Sequence, residues 1–380
     1  MYKHWGIKVA RKEFAVIDFG SSKIVLLVGF RTKDGIHVIA KSETEYEGFM
    51  EGEFLAPEHL SEIVSRLIGE VEKTTTKRIT KLYVGVPDEM LVPVVKESEL
   101  VFRRPSRIKE KHLTQLVEDV DLSFVPESHE VISIVPISYS LDQGAALLDL
   151  DRAVASKITA FLSIIAAEKN FLYFIQQLMQ GVGVAEIEYL PTCLASAMNL
   201  IEDKDQKNGA ILVDVGNVVT SVASVFNSGI VELKTFTSGG GFITSDLMSV
   251  LKINYFEADQ LKRKTVLSME ATKDDYYEIF RDSKLVKFYS NTVNDIVRAR
   301  VENIAEHLLS CIESFDSEIN EDTKIYITGG GLGYIMGAMD VVAQVIGHKV
   351  QLACPKELQY FRPDYASSMS LLHMVLDMGN

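Results

Sequence analysis

The stretch Phe14 to Phe30 reads FAVIDFGSSKIVLLVGF and predicts the fold of the chain. Two apolar runs rich in β-branched and aromatic residues flank a Gly-Ser turn, which is typical of two strands joined by a hairpin. The turn has the residue types of a phosphate site, because glycine lets backbone approach an anion and serine hydroxyls donate hydrogen bonds. Asp18 could hold Mg²⁺ through water, and Lys23 could reach a phosphate as a point charge. A plain hairpin turn that contains an Asp explains this segment alone equally well.

A second copy of this stretch occurs at Ala210 to Phe226, which reads AILVDVGNVVTSVASVF. Each copy consists of an apolar strand, an Asp-x-Gly sequence, a short turn and a second apolar strand. The chain therefore has two halves with one plan. Duplicated halves that each offer an Asp and a turn to a shared cleft suit a nucleotide clamp.

Two glycine runs follow the second copy, at Gly239 to Gly241 and at Gly329 to Gly331. Each run lies between a strand pattern and a helical pattern, which brings backbone N–H groups and a helix N-terminus towards an anion or a nucleotide base. The order hairpin, hairpin, glycine turn, glycine turn is that of the actin, Hsp70 and hexokinase nucleotide-binding fold. The predicted fold class is α/β, with the duplicated actin/Hsp70-like architecture.

Composition and charge limit the possible partners. The 380 residues carry a net charge of −14, which argues against a nucleic-acid surface and against attraction to anionic lipid. Three cysteines form no CxxC pair, so we expect a reducing compartment and no cysteine metal site. No run reaches the ~18 apolar residues of a membrane-spanning helix. We therefore expect a cytoplasmic protein.

Hydrophobic periodicity places the main helices. It predicts a helix over 57–73 and a longer helix over 291–319. Ser106 is predicted to cap another helix, with its apolar face from Ile108 to Val120. Residues 130–141 are either a strand pair or one long strand interrupted at Pro136.

The ordered set of motifs resembles FtsA, the bacterial actin homologue of cell division, over nearly the whole chain. Asp18 to Ile24 resembles the family's first phosphate motif, D-[IL]-G-[ST]-[ST]-K-[IV]. Gly239 to Asp246 resembles G-G-x-x-I-T-x-D, and Glu257 to Lys262 is similar to E-E-A-E-x-[IL]-K. Arg300 to Ile304 resembles R-x-E-E-I, and Pro363 to Ser367 resembles P-x-Y-A-[ST].

The resemblance implies four subdomains in FtsA order. Residues 1–80, 159–206 and 363–380 would form subdomain 1A, and residues 81–158 the inserted subdomain 1C, an SHS2 domain. Residues 207–245 and 324–362 would form subdomain 2A, and residues 246–323 subdomain 2B.

The resemblance also implies a site for ATP and Mg²⁺ between the halves. The implied nucleotide-binding residues are Asp18, Gly20, Ser21, Ser22, Lys23, Asp214, Gly216, Gly239, Gly240, Lys262, Gly329, Gly330 and Gly331. The first five would hold the β- and γ-phosphates, and Asp18 and Asp214 would face the metal. No residue is assigned a catalytic role.

The second turn departs from the family pattern, D-I-G-G-G-T-[TM]-D. Asn217 and Val218 replace glycines, and Ser221 replaces the later Asp. A β-branched residue disfavours the positive φ that glycine supplies, and the lost carboxylate removes a possible contact with metal or water. We therefore expect weak ATP binding and at most weak ATPase activity.

Partners and location also follow from the resemblance. FtsA links FtsZ to the division machinery, so the FtsZ C-terminal tail is the expected partner, with Arg300 as the candidate contact. A surface Arg that pairs with Glu along its own helix explains Arg300 equally well. Self-association into filaments or dimers, and contacts of residues 81–158 with other division proteins, are expected too. Because Leu371 to Met378 has no basic face, we expect no direct membrane anchor and placement at the septum through partners.

Three other functions compete with this interpretation. A PilM-type pilus-assembly protein shares the fold and also carries an extra subdomain, but Lys23 and the Arg300 segment favour FtsA. A small-molecule kinase of this fold needs a catalytic base tied to a substrate pocket, and no motif supplies one. A Rossmann dehydrogenase is disfavoured because Gly329 to Gly331 opens no further βαβ unit.

Overall fold

A computed structural model describes residues 12–46, 49–50, 53–54, 57–142, 144–148, 150, 152–281, 284–317, 319–320 and 322–379. The strands are, in chain order, β1 (Phe14–Phe19), β2 (Lys23–Thr32), β3 (Gly35–Glu45), β4 (Phe49–Met50), β5 (Glu53–Phe54), β6 (Lys81–Val86), β7 (Leu91–Arg107), β8 (His129–Leu141), β9 (Val154–Glu168), β10 (Glu186–Pro191), β11 (Ala210–Val215), β12 (Thr220–Phe226), β13 (Gly229–Phe236), β14 (Tyr276–Arg281), β15 (Lys284–Tyr289), β16 (Lys324–Thr328) and β17 (Val350–Leu352). The helices are α1 (Pro57–Thr75), α2 (Glu110–Glu118), α3 (Lys169–Gly181), α4 (Thr192–Leu200), α5 (Asp203–Asn208), α6 (Gly240–Leu251), α7 (Tyr255–Lys264), α8 (Ser290–Glu313), α9 (Ala338–Ile346) and α10 (Ala366–Met378).

The two predicted hairpins are central to two sheets with the same strand plan. The first sheet has the order β3-β2-β1-β6-β10, and the second has the order β13-β12-β11-β16-β17. In each sheet the first hairpin strand, β1 or β11, pairs antiparallel with its hairpin partner and parallel with the next strand. The predicted duplicated α/β fold is confirmed.

Helices cover both faces of the first sheet, which explains why its strands are almost continuously apolar. Ile17 and Leu26 pack in the same core cluster as the buried residues of α1. Val16 and Leu27 point the other way and share a cluster with α10. This period of two follows from the alternation of side chains along a strand.

The long helix α8 anchors the second half. Its buried positions Val293, Val297, Val301, Ile304 and Leu308 form one stripe at helical spacing. The predicted end at residue 319 is wrong, because α8 ends at Glu313. Phe315 is buried beyond that end, so the apolar stripe outlasts the helix.

The inserted sheet has the order β7-β9-β8, and α2 packs on it. Residues 130–141 belong to one strand, β8, with a register shift at Pro136. The predicted cap at Ser106 is wrong: Ser106 pairs with Ala155 inside β7, and α2 begins after Lys109. This sheet spans residues 91–168, whereas the expected insert covers 81–158, because β6 pairs with β1 and β10 in the first sheet.

The inserted sheet also contacts the second half directly. A Cβ on Gly229 would lie 2.4 Å from the Ile137 side chain and 2.6 Å from that of Ser163. Ser163 Oγ donates to Ile230 O at 2.6 Å, and Asn227 Nδ2 donates to Ile137 O at 2.9 Å. We call this contact the insert strap; it joins the inserted sheet to the turn before β13 and to the first residues of β13.

No helix in the described ranges combines the length and apolar character that crossing a bilayer requires.

Candidate nucleotide-binding site

The two hairpin turns meet at a cleft between the sheets. Gly20 N–H donates to Lys23 O at 3.0 Å, and Gly216 N–H donates to Val219 O at 3.0 Å, so both turns close in the same way. The cleft has a volume of about 550 Å³, within the range of small-molecule sites. The repeated sequence thus produces a repeated turn on each wall of one cavity.

A hydrogen bond joins the turns. Ser21 Oγ accepts the backbone N–H of Val218 at 3.2 Å. The hydroxyl proton of Ser21 remains available, since a serine can accept and donate at once. Neither Asn217 nor Val218 has a positive φ, so the second turn forms without the left-handed residue that the family pattern suggested.

The two glycine runs pack behind the second turn. Gly240 N–H donates to Gly216 O at 2.9 Å, and Gly331 N–H donates to Val215 O at 2.7 Å. A Cβ on Gly240 would lie 2.4 Å from the Cα of Gly331, so only glycine allows this approach. Gly239 and Gly240 therefore support the second turn from behind, whereas Gly329 to Gly331 line the cleft.

Three carboxylates gather where the turns meet. Burial raises the pKa of Asp18 to about 7; Lys23 opposes the rise and Asp88 adds to it. Burial raises the pKa of Asp214 to about 7 as well, and the charges of Asp88 and Asp18 add to the rise. Ser367 Oγ donates to Asp214 Oδ2 at 3.3 Å. The cleft floor is therefore rich in buried carboxyl groups.

Asp88 belongs to the first half but reaches the second. It follows β6 in a 3₁₀ turn, Asp88–Met90, and its Oδ2 accepts the hydroxyl of Ser221 at 2.6 Å. Burial raises the pKa of Asp88, while Ser221 and Cys193 oppose that rise. Oδ1 of Asp88 has no partner with hydrogen-bonding geometry among the described residues, and neither has the buried Thr192 Oγ1.

Lys23, the expected phosphate ligand, is held by another carboxylate. Its Nζ lies 2.8 Å from Asp364 Oδ2 and 4.0 Å from the ring centre of Tyr365. Asp364 also accepts from Arg362 and from the hydroxyl of Tyr334. The ammonium of Lys23 is therefore already paired with a carboxylate in this structure.

Basic and aromatic side chains form the rim. Lys262 is 6% exposed, and its Nζ contacts Asp259 Oδ1 and Thr244 Oγ1, each at 2.9 Å. The Arg263 guanidinium lies 5.1 Å from the ring centre of Tyr334. Both basic residues line the cleft, where their charges suit an anionic ligand.

The floor suits a hard cation, because carboxylates and hydroxyls are its preferred donors and Asp88 Oδ1 is a buried oxygen without a partner. Within the described residues, however, no three His, Cys, Asp or Glu side chains converge closely enough to hold a metal by themselves. Mg²⁺ carried by a nucleotide fits this arrangement, since it keeps several waters and takes phosphate oxygens as ligands.

The sequence is similar to that of one family of cell division proteins. The model of the family described as cell division protein FtsA matches residues 211–370. FtsA of Bacillus subtilis (strain 168) is 22% identical over 369 residues, which cover 94% of this chain and 82% of that protein. FtsA of Streptococcus pneumoniae serotype 2 is 20% identical over 374 residues, which cover 94% and 79%. The chain is FtsA-like.

Solved structures share the fold of this FtsA-like chain. The PilM–PilN type IV pilus biogenesis complex aligns with a TM-score of 0.65 and 13% identity, over 96% of this chain and 99% of the matched chain. MreB5 of Spiroplasma citri bound to ADP aligns with a TM-score of 0.59 and 11% identity, over 97% of each chain. At these identities the match shows the actin-like fold alone.

In this FtsA-like chain Arg300 lies away from the cleft, on α8. Its guanidinium forms two hydrogen bonds with Asp246 of α6, at 2.7 and 3.1 Å, and one with Asn303 Oδ1 at 3.0 Å. The bidentate pair joins two motif segments that the sequence shows far apart. Among the described residues, the ion-pair partner of Arg300 is Asp246 on α6 and not a Glu along its own helix, as the alternative interpretation had it.

Sequence reasoning missed Asp88, Thr192, Asp364 and Tyr334. The sequence could have indicated Asp88 and Thr192. Asp88 follows β6, which is parallel to β1, and Thr192 follows β10, which is parallel to β6. The carboxyl ends of parallel strands meet at one edge of a sheet. Asp364 stands at the free position of P-x-Y-A-[ST], where the motif gives no information.

Proposed function

We propose that this FtsA-like chain is an actin-like cell-division scaffold that binds ATP with Mg²⁺ between its halves. The observation that carries the proposal is the pair of matching turns, with Asp18 and Asp214 facing one cleft of about 550 Å³. Its sequence relatives are cell division proteins by name. The scaffold would act in the cytoplasm at the septum.

Several residues would divide the nucleotide between them. Asp18 and Asp214 would hold Mg²⁺ through water, and the bound ion would neutralise phosphate charge. The Ser21 and Ser22 hydroxyls would donate to the phosphates, while Lys262, Arg263 and the Gly329 to Gly331 turn would face the sugar and base. Gly239 and Gly240 would act indirectly, by supporting the second turn.

Hydrolysis should be slow. Catalysis of phosphoryl transfer needs free donors aimed at the charge that develops on the γ-phosphate. In the second turn the Gly216 N–H is bonded to Val219 O and the Val218 N–H is bonded to Ser21 Oγ. These engaged donors support a role as a nucleotide-dependent scaffold rather than an efficient ATPase.

Titration calorimetry with ATP and excess Mg²⁺ tests the nucleotide proposal, with phosphate release measured in parallel. We expect weak saturable binding and turnover far below about 1 per second, the lower end for kinases. Absence of binding at millimolar ATP would remove the nucleotide from the proposal. Turnover of about 1 per second or faster would show instead that the chain is an enzyme.

The proposed partner is the FtsZ C-terminal tail, docked on the subdomain that carries α8. The Arg300–Asp246 pair is half-buried, so a tail carboxylate must compete with Asp246 for the same guanidinium. Fluorescence anisotropy with the tail peptide should show modest binding, because a short peptide buries little surface.

Arg300→Glu should abolish tail binding, and Arg298→Glu provides the control. Arg298 lies on the same helix but donates to Leu267 O at 3.0 Å, outside the Asp246 pair. Equal affinity in wild type and Arg300→Glu would exclude Arg300 from the contact. Self-association into filaments or dimers belongs to the same proposal, and sedimentation with and without ATP measures it.

The alternatives have less support. A PilM-type function rests on shared fold alone, whereas the sequence similarity over 94% of the chain lies with FtsA. A small-molecule kinase of this fold would need rapid ATP turnover with a second substrate, which the phosphate-release assay would detect.

A further inference from the structure

Asp88 brings a third carboxyl group to the cleft floor from an element that no nucleotide motif includes. Asp18 lies near the end of β1 and Asp214 near the end of β11, one on each wall. Asp88 comes from the turn after β6 and crosses to Ser221, which pairs with Asp214 across the second hairpin. Its charge is close enough to raise the pKa of both other carboxyls.

Two buried polar atoms next to this carboxylate have no partner with hydrogen-bonding geometry among the described residues. Asp88 uses Oδ2 for Ser221, while its buried Oδ1 has no partner with hydrogen-bonding geometry within the described chain. The backbone N–H and the thiol of Cys193 lie close to the same carboxylate and help to hold it. Thr192 Oγ1 lines the same cleft, also without a partner there, on a residue that is 7% exposed. Buried polar atoms are almost always hydrogen-bonded, so these two point to a bound water or ligand.

The nearby cation does not balance the floor. Lys23 is the basic side chain on the first turn, and its ammonium pairs with Asp364 at 2.8 Å. The other two basic side chains described above, Lys262 and Arg263, lie on the rim and both pair with Asp259. Three carboxyl groups on the floor would therefore face a polyphosphate that is itself anionic. Like charges repel more strongly where burial lowers the effective dielectric, unless a divalent cation lies between them.

We infer that Asp88 makes nucleotide binding depend on a divalent cation, an inference that rests on the proposed nucleotide function. Asp88 Oδ1 accepts a hydrogen bond from water in the cation's shell, and Ser221 fixes the carboxylate by binding Oδ2. Without the cation, the same carboxylate repels the phosphates. Asp88 is thus a residue that determines which form of the nucleotide enters, the metal complex rather than the free anion.

The test compares ATP affinity with Mg²⁺ and with EDTA, by titration calorimetry on the full chain. Wild type should bind Mg²⁺-ATP and lose most of that affinity in EDTA. Asp88→Asn removes the charge and keeps the shape, so the ratio of the two affinities should shrink by about tenfold or more. Glu45→Gln is the matched control: Glu45 is an exposed carboxylate on the cleft rim, and its loss should leave the ratio unchanged.

A charge relocation provides the second variant. Asp88→Ser combined with Ser221→Asp returns a carboxylate and a hydroxyl to the same pair of positions, with their places exchanged. The combined variant should regain the wild-type dependence on Mg²⁺ that Asp88→Ser alone loses. Circular dichroism and ligand-free melting would establish that each variant folds.

The outcomes separate the two claims. If wild type binds Mg²⁺-ATP but Asp88→Asn keeps the full wild-type ratio, the inference is overturned and the proposed nucleotide site stands. The same holds if the combined variant folds, binds and has lost the dependence on Mg²⁺. If wild type binds no nucleotide with or without Mg²⁺, both claims are overturned together.

Discussion

Each of the two hairpin turns is closed by the same kind of backbone hydrogen bond, but the turns differ in the residues that surround them. The first turn faces the cleft with the hydroxyls of Ser21 and Ser22. The second turn is held from behind by two glycine runs and in front by Ser21. A duplicated fold can therefore keep the shape of a turn in both copies while one copy keeps ligand-binding groups and the other depends on protein contacts.

The largest expected difference concerns the glycines that support the second turn. A Cβ on Gly331 would lie 2.4 Å from Gly216 O, a contact that forces backbone to move. Gly331→Ala should lower the free energy of unfolding by about 2–3 kcal/mol. Gly69→Ala is the control: Gly69 lies within α1, and a Cβ added there would meet no atom within 4 Å, so this variant should be stabilised by roughly 0.5–1 kcal/mol. Chemical denaturation measures both, and equal effects would contradict this account of the second turn.

The next effect concerns ligand binding at the first turn. Nucleotide at a hundredfold excess over Kd should stabilise the wild type by about 2.7 kcal/mol. Asp18→Ala should abolish this stabilisation, because it removes the carboxylate that would face the metal. Ser221→Ala should retain it, since the Asp88 charge remains. Thermal melts with and without Mg²⁺-ATP measure the difference, and retention by Asp18→Ala would place the ligand elsewhere.

The pH dependence of stability compares the aspartates of the two turns, which have similar pKa values. The folded pKa of Asp18 and of Asp214 is about 7, above the ordinary value of 3.8. A raised pKa favours the folded state below about pH 4, and that contribution is lost as pH rises through about 7.

In EDTA without nucleotide, Asp18→Asn and Asp214→Asn should therefore gain stability relative to wild type between about pH 5 and pH 8. The gain is at most about 1.4 kcal/mol per pH unit for each carboxyl. Denaturation at several pH values measures it. A gain in only one variant would break the equivalence of the turns.

The smallest effect tests the backbone of the second turn. Val218 has a negative φ, so replacing it with glycine would relieve no backbone strain. The glycine would instead raise the conformational entropy of the unfolded chain, which destabilises the folded state. Val218→Gly should lower the free energy of unfolding by roughly 0.5–1 kcal/mol. A stabilised variant in chemical denaturation would show that the turn requires the left-handed conformation after all.

The sequence predicted the parts of the fold that depend on local pattern. The Asp-x-Gly hairpins, the apolar stripe of α8 and the glycine turns all have a periodicity or a composition that nearby residues determine. The predictions failed where a residue distant in sequence determines the local structure. Ser106 has the chemistry of a helix cap, but pairing with Ala155 in β9 extends the strand through it.

The site divides in the same way. Asp18 and Asp214 are readily recognised because each lies near the end of a strand, beside a glycine turn. The contact between Lys23 and Asp364 joins residues near opposite ends of the chain, so no local pattern could show that the lysine is already paired. The position of Asp88 needed the parallel pairing of β6 with β1, which is a property of the sheet rather than of any motif.

The insert strap has a mechanical consequence. Backbone around Gly229 rests directly on the side chains of Ile137 and Ser163, without room for even a methyl group. One half cannot twist far against the other about the cleft without opening this contact or carrying the inserted sheet along. Opening and closing of the cleft would then rotate the inserted sheet and change the orientation of its outer surface. A change of a few degrees at the cleft would become a larger displacement at the far end of the insert.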